Sequence, residues 1–360
     1  MVKSLIDKDS VEAAVVCLTK GIPFCLFAYP QKEAHFFSNP SGSTLNRLDK
    51  PRKFIIGFWN TKISDSISIQ EELDAKNTLS LAKLPKGNLM SEEPWGESTQ
   101  KEDYLDEIAK VIAIMKEQGL EKVVISRALS KKEDINYSEW IKIAEKIFEA
   151  YPETFRFMFW TQTTGAWLGA SPEMLIDYEP DKRTVSTVAL AGTRHMVYSP
   201  LNDDWGRKDT QEQKIVSGYL EKTLSDLNLD IKCYPTETVM AGPLQHISTR
   251  IVGTAPGEKL PPLETILDNI QPTPALSGYP KEKAIGVIEL MERHPRRCYG
   301  GYVGVEDGGN FKAYVNIRSL NFDEKSYCRY AGGGILPESD PESEWKETEG
   351  KLSVLSNYID

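Results

Sequence analysis

The chain has 360 residues, and its 43 basic and 53 acidic side chains give a formal net charge of −10 at pH 7. An acidic balance disfavours nucleic acid as the main partner, because phosphate binding requires a basic surface. With 40% hydrophobic and 27% charged residues, the composition is that of a globular protein rather than a disordered or fibrous one.

The sequence predicts a cytoplasmic protein that does not enter a membrane. Its apolar runs stay shorter than the ~18 residues needed to cross a bilayer, because Lys20 interrupts the most apolar N-terminal stretch. The same lysine argues against a secretory signal peptide. The cysteines form no CxxC pair and are predicted to be free thiols in a reducing compartment. They are Cys17, Cys25, Cys233, Cys298 and Cys328.

The first 60 residues alternate short apolar runs with glycine, proline and polar turns, which is typical of strands and loops. Between residues 83 and 100 the composition shifts to proline, glycine, serine and acidic residues, which predicts a surface connection. We therefore divide the chain into residues 1–95 and 96–360, and expect both parts to belong to one compact domain.

Helix and strand signals are clearer after this connection. Thr99 and Glu102 match a capping box at the start of a helix over 101–118. A β-branched run over 122–129 predicts a buried strand. A second helix is expected next, and successive apolar runs with short turns then predict an antiparallel meander. These two segments cover 138–150 and 156–191.

The last part of the chain combines helices with further strands. Asp209 is expected to cap a helix that ends near residue 227, and another helix is expected over 281–292. The final helix has Asp340 at its N-cap and Pro341 at its first position, where each residue type is favoured. Strands are predicted over 299–306, 311–320 and 327–334.

Common catalytic motifs are missing from the sequence. It has no GxxxxGK[ST] loop, no GxGxxG before a helix, no HExxH and no GxSxG. The usual sequence signals of nucleotide hydrolases, Rossmann cofactor enzymes, zinc hydrolases and serine hydrolases are therefore absent. With four histidines in the chain, a metal site would have to depend on carboxylates, which suit magnesium or calcium.

The last helix carries the most informative polar pattern. Glu344, Glu347 and Lys351 are spaced at i, i+3 and i+7, so they share one helical face. The pattern fits a solvated salt-bridge face in which Glu347 pairs with Lys351. It also fits a magnesium site beside a lysine that binds an anionic ligand.

Three other positions also allow either a structural or a functional role. Glu212 extends the apolar stripe of its helix and should point inward, either as a metal ligand or as a first-turn glutamate that interacts with the helix dipole. Lys122 opens a buried strand, where a lysine usually reaches solvent. Glu173 follows a Gly-Ala-Ser-Pro turn. Glycine turns at 191–194 and 331–334 could bind an anion through backbone N–H groups or could be simple turns.

Taken together, these segments resemble the chorismate-utilising enzymes, and within that family most of all the isochorismate synthases. An ordered set of motifs is far more specific than any one of them. Residues 1–95 carry no motif, as in the family, whose N-terminal part varies. The matching stretches are KVVISR (122–127), LGASPEML (168–175), ALAGTR (189–194), KDTQEQ (208–213), QPTPALSGYP (271–280), YGGYVG (299–304), NIRS (316–319), YAGGGI (330–335) and SEWKETEGKL (343–352).

The resemblance implies an α+β fold of two large, layered, mostly antiparallel β-sheets with helices packed outside. It implies that Lys122 is the general base that activates water and that Glu173 is the general acid. Magnesium is the implied cofactor, with Glu212, Glu344 and Glu347 as its ligands. The implied contacts to chorismate come from Gly192, Thr193, His246, Ala275, Leu276, Arg318, Gly333 and Lys351.

The implied reaction is the magnesium-dependent isomerisation of chorismate to isochorismate for menaquinone or siderophore biosynthesis. Salicylate synthase, which goes on to eliminate pyruvate, is the nearest alternative. Anthranilate and aminodeoxychorismate synthases, which use ammonia as the nucleophile, resemble the sequence less at Lys122, and aminodeoxychorismate synthases also typically have a lysine where Ala191 stands. A non-catalytic chorismate-binding protein is the most distant alternative. We expect a monomer or weak dimer that needs no amidotransferase subunit.

Two positions depart from the family pattern. Gln213 and Gln271 stand where the family commonly has histidines. Both are expected to lie behind the residues that contact substrate, so they should affect the fine geometry of the site rather than the reaction class.

Overall fold

The computed structural model describes residues 5–39, 52–60, 64–69, 74–83, 97–195 and 204–359. Within these residues, the helices are α1 (Lys8–Lys20), α2 (Ala75–Leu79), α3 (Lys101–Gln118), α4 (Tyr137–Ala150), α5 (Arg207–Asp226), α6 (Leu263–Ile270), α7 (Lys281–Met291) and α8 (Pro341–Ser356). The strands are β1 (Phe24–Ala28), β2 (His35–Ser38), β3 (Arg52–Gly57), β4 (Ser64–Ile69), β5 (Lys122–Lys132), β6 (Phe155–Thr161), β7 (Gly165–Ser171), β8 (Met174–Glu179), β9 (Thr184–His195), β10 (Asp230–Cys233), β11 (Glu237–Ala241), β12 (Leu244–Thr254), β13 (Gly278–Tyr279), β14 (Tyr302–Asp307), β15 (Asn310–Val315), β16 (Ser319–Phe322) and β17 (Ser326–Ile335).

These strands form two large sheets. The first has the order β13-β5-β17-β16-β7-β6-β1-β2, and the second has the order β10-β12-β9-β8-β15-β14-β3-β4, with β11 paired to β12. The strand pairs described are antiparallel. Helices α1 and α4 pack on the first sheet, and α5 and α6 pack on the second. The predicted fold class, α+β with two layered antiparallel sheets, is therefore confirmed.

The core between the two sheets is rich in aromatic side chains. Phe27 in β1 packs on Phe54 in β3 at a ring-centroid distance of 5.6 Å, and Phe155 in β6 stacks on Tyr314 in β15 at 4.6 Å. Each pair joins one sheet to the other. Aromatic side chains dominate the burial energy of a core, so these contacts hold the sheets face to face.

Two of the connections that cross between the sheets are short and lead directly from one strand to the next. β7 of the first sheet leads into β8 of the second through Pro172 and Glu173, and β15 leads back into β16 through residues 316–318. Pro172 has no N–H and cannot continue a strand ladder, which ends β7 at that point. Val315 donates a backbone hydrogen bond to the Glu173 carbonyl at 2.9 Å. The crossings therefore lie side by side and bring Glu173 close to Arg318.

Several local predictions are confirmed by the structure. α3 has the predicted bounds, and α8 begins at Pro341 with Asp340 as its N-cap, whose carboxylate accepts from the Ser343 N–H at 2.9 Å. The cysteines among the described residues are free. No helix in the described part of the chain is long and apolar enough to cross a membrane.

Two capping predictions are wrong. Gln100 is the N-cap of α3 and makes no side-chain capping hydrogen bond, because Thr99 pairs instead with Ala128 of β5 through backbone and hydroxyl contacts. α5 begins two residues before Asp209, which lies in its first turn rather than at its cap. At Thr99 the contact with β5 therefore outweighs the local capping-box pattern.

Two larger predictions also need correction. The first 60 residues include a helix, α1, which buries Ala13, Ala14, Cys17 and Leu18 against the first sheet. The predicted meander over 156–191 is divided, since β6 and β7 belong to the first sheet while β8 and β9 belong to the second. The same alternating pattern serves either sheet, so sequence alone does not reveal the crossing.

The division at residue 95 stays a prediction, because the segment 84–96 lies outside the described residues. The described parts of residues 1–95 supply β1 and β2 to the first sheet and β3 and β4 to the second.

Candidate active site

A cavity lies where the two sheet crossings meet β5, α5 and α8. Most residues proposed from the sequence line it: Lys122, Glu173, Gly192, Thr193, Glu212, His246, Ala275, Leu276, Arg318, Glu347 and Lys351. Gly333 and Glu344 are not among the lining residues. They face each other behind the wall, since a Cβ built on Gly333 would lie 3.2 Å from Glu344 Oε2.

Lys122 forms a buried ion pair at the start of β5. Its side chain is 2% exposed, and its Nζ lies 3.1 Å from Glu212 Oε1 on α5. A Cβ on Gly334 of β17 would overlap the Glu212 carboxylate, so only glycine leaves room for this pair. Lys122 therefore does not reach solvent, and Glu212 points inward as predicted.

Glu173 lies at the first sheet crossing and is buried. Burial raises the pKa of its carboxyl group to about 8, although the positive charges of Lys122, Lys351 and Arg318 oppose the shift. A carboxyl group with this pKa is mostly protonated at neutral pH. It can therefore donate a proton, which an ordinary turn glutamate cannot do.

Arg318 lies at the second crossing, with φ of 51° in the left-handed region that few residues other than glycine adopt. Its Nη2 lies 2.9 Å from His246 Nε2, and a guanidinium group only donates. His246 therefore accepts at Nε2 and donates from Nδ1 to the Gly192 carbonyl at 2.9 Å. Burial lowers the pKa of His246 to about 3, and the charge of Arg318 lowers it too. The neutral histidine thus orients Arg318.

The polar face of α8 is charged and largely shielded from solvent, with Glu344 buried and Glu347 half-buried. Glu347 pairs with Lys351 at 2.7 Å, while Lys208 of α5 lies 2.6 Å from Glu344 Oε1 and 3.2 Å from Glu347 Oε2. Burial acts to raise the pKa of Glu347, but Lys351 and Lys208 hold it well below its usual value. Burial raises the pKa of Glu344, against the charge of Lys208. The predicted ion pair between Glu347 and Lys351 is present, but this face of α8 is not the solvated face that a simple surface salt bridge would require.

The acidic cluster fits magnesium in its donor chemistry. Glu212, Glu344 and Glu347 offer carboxylate oxygens, and Glu344 Oε2 is buried without a hydrogen-bond partner. Within the described residues, no three acidic, histidine or cysteine side chains are gathered tightly enough to hold a metal ion by themselves. A complete site would therefore require a substrate oxygen or water and a rearrangement of Lys208, whose ammonium group contacts two of the three carboxylates.

A model of the family described as chorismate binding enzyme matches residues 48–360. The chain belongs to this family. This chorismate binding enzyme is 30% identical over 261 residues to the isochorismate synthase EntC of Escherichia coli (strain K12), a match that covers 70% of the chain and 66% of that relative. It is 30% identical over 285 residues to the isochorismate synthase MenF of Bacillus subtilis (strain 168), covering 73% of the chain and 56% of MenF.

Solved structures agree with the fold of this chorismate binding enzyme. A crystal structure of a 2,3-dihydroxybenzoate-specific isochorismate synthase, DhbC from Bacillus anthracis, superposes with a TM-score of 0.75 at 20% identity, covering 97% of this chain and 99% of that one. The matched stretches span somewhat less than two thirds of the lengths of EntC and MenF.

The sequence pattern did not single out every residue in the enzyme's site. Tyr299 lines the cavity, and Lys208 bridges the carboxylates, although both lie in matched motifs. Gln213 and Gln271 do not line the cavity. Gln213 donates to the Ala189 carbonyl and to Thr249 Oγ1, and Gln271 donates to a backbone carbonyl, so both act in the wall behind the site.

Proposed function

We propose that the protein is an isomerase that converts chorismate into isochorismate. The observation that carries the proposal is the pairing of opposite proton-transfer groups in one cavity: a buried lysine, Lys122, and a buried carboxyl group of raised pKa, Glu173. Two nearby cations, Arg318 and Lys351, suit a substrate with two carboxylates. The relatives named isochorismate synthase support the same reaction.

The reaction requires one proton acceptor and one proton donor. Water attacks C2 of the ring while its proton passes to Lys122 Nζ. The double bonds shift, the C4–O bond breaks, and the leaving oxygen takes a proton from Glu173, so one water enters and one leaves. The raised pKa of Glu173 keeps the donor protonated at neutral pH.

Magnesium is the proposed cofactor, with Glu212, Glu344 and Glu347 as ligands. When bound, it would supply positive charge beside the ring carboxylate of chorismate. The chain itself would orient the substrate through Arg318, supported by His246, and through Lys351. The remaining proposed contacts are Gly192, Thr193, Ala275, Leu276 and Gly333.

The wider role of the protein follows the same proposal. The product would supply menaquinone or siderophore biosynthesis, because similar proteins include a menaquinone-specific isochorismate synthase from Escherichia coli and a vibriobactin-specific isochorismate synthase from Vibrio cholerae. We propose that it acts in the cytoplasm as a monomer or weak dimer, without an amidotransferase subunit.

Product analysis tests this function. Incubation with chorismate and magnesium at neutral pH should give a mixture of chorismate and isochorismate, because exchange of one hydroxyl for another is nearly balanced. Starting from isochorismate should reach the same ratio. Stoichiometric pyruvate together with fluorescent salicylate would show a salicylate synthase instead. Ammonia-dependent formation of an aminated product would indicate an anthranilate or aminodeoxychorismate synthase.

A further inference from the structure

Lys208 lies between two of the carboxylates that the proposed function assigns to magnesium. It is the second residue of α5, and its Nζ contacts Glu344 Oε1 at 2.6 Å and Glu347 Oε2 at 3.2 Å. The Glu344 side chain is 1% exposed, so water cannot readily take over the role of its partner. Lys208 is thus the bridge between α5 and the acidic face of α8.

An ammonium ion in this position occupies the oxygens that a metal ion needs. Magnesium requires close, nearly octahedral contacts to oxygen and tolerates little distortion. The two oxygens that accept from Lys208 cannot serve a metal at the same distance and direction. Two cations within a few ångströms also repel each other strongly in a partly buried site.

We propose that Lys208 is a built-in competitor of the divalent cation. The inference depends on the proposed magnesium site. Lys208 compensates Glu344 and Glu347 when no metal is bound, and it has to leave them before magnesium can bind both. Its charge therefore weakens the magnesium affinity of the free protein.

Titration calorimetry with magnesium chloride, in the absence of substrate, tests this role. Lys208→Gln keeps a hydrogen-bond donor but removes the charge, and it should bind magnesium at least about tenfold more tightly than the wild type. Lys208→Arg keeps the charge and should stay within about threefold of the wild type. Lys214→Gln, an exposed position on the same helix, is the matched control and should leave the affinity unchanged.

Equal or weaker magnesium binding by Lys208→Gln would overturn the inference about Lys208. Conversion of chorismate by the wild-type protein would still support the proposed function. If Lys208→Gln does not fold, the charge-balanced pair Lys208→Gln/Glu344→Gln replaces it and is compared with Glu344→Gln alone. The double variant should again bind magnesium more tightly, and equal affinity would overturn the inference. Absence of magnesium binding to every protein would overturn both the inference and the assigned metal ligands.

Discussion

Replacement of Glu173 by glutamine should stabilise the protein while it removes activity. Burial raises the pKa of this carboxyl group from 4.5 to about 8, so the native protein keeps a proton that the unfolded chain releases near pH 4.5. Because the unfolded state binds fewer protons between these values, stability falls as pH rises from 4.5 to 8. At 1.36 kcal/mol per pKa unit, the carboxyl group costs roughly 1 kcal/mol at pH 5 and about 3 kcal/mol at pH 7. Glutamine is neutral throughout and removes this cost.

Urea unfolding at the two pH values measures the effect. Relative to the wild type, Glu173→Gln should gain about 3 kcal/mol in the free energy of unfolding at pH 7 and about 1 kcal/mol at pH 5. Its kcat should fall by on the order of a hundredfold or more, because an amide cannot act as the general acid. Glu258→Gln, in an exposed loop, should change neither property. A gain that does not grow with pH would refute the raised pKa and, with it, the reasoning for Glu173 as proton donor.

Three other substitutions test the rest of the site. Lys122→Ala should lower kcat by about a hundredfold or more and, because it leaves Glu212 buried without its partner, should also lower the free energy of unfolding by several kcal/mol in denaturant titrations. Gly334→Ala should abolish most activity by displacing the Glu212 carboxylate, whereas Gly218→Ala, with open space around its Cα, should leave kcat unchanged in the same assay. Glu347→Gln should weaken magnesium binding measured by calorimetry while circular dichroism stays unchanged, since the two residues have similar helix propensity. If Glu347→Gln converts chorismate at the normal rate at limiting magnesium, the ion pair between Glu347 and Lys351 has only a structural role.

Local signals predicted the elements of the fold more completely than their arrangement. The start of α8 depends on Asp340 as N-cap and Pro341 as first residue, so it was predictable from neighbouring residues. The strand runs over 156–191 and 311–320 look continuous, yet each crosses between the sheets. Alternating apolar residues satisfy either sheet equally well, and only Pro172 marks one of the crossings in the sequence. The crossings matter because they carry Glu173 and Arg318 into the cavity.

The motifs predicted most of the polar residues that line the candidate cavity, but not how they pair. The spacing on α8 joins Glu347 to Lys351, a local pair that a helical pattern can express. The contacts of Lys208 with α8 join segments more than 100 residues apart in the chain. No spacing rule relates such residues, because their distance depends on how α5 and α8 pack beside the sheets.

The different surroundings of two buried carboxyl groups show the same limit of prediction from sequence. Glu212 and Glu173 are both buried near Lys122, and by residue type they are equivalent. The structure places Lys122 Nζ 3.1 Å from Glu212 Oε1, whereas burial dominates at Glu173 and raises its pKa to about 8. Lys122 is thus shared unequally between the two acids: it forms an ion pair with Glu212, whose carboxylate oxygens suit a metal, while burial of Glu173 suits that residue to proton donation. This unequal sharing is the physical basis of the roles that we propose for the two glutamates.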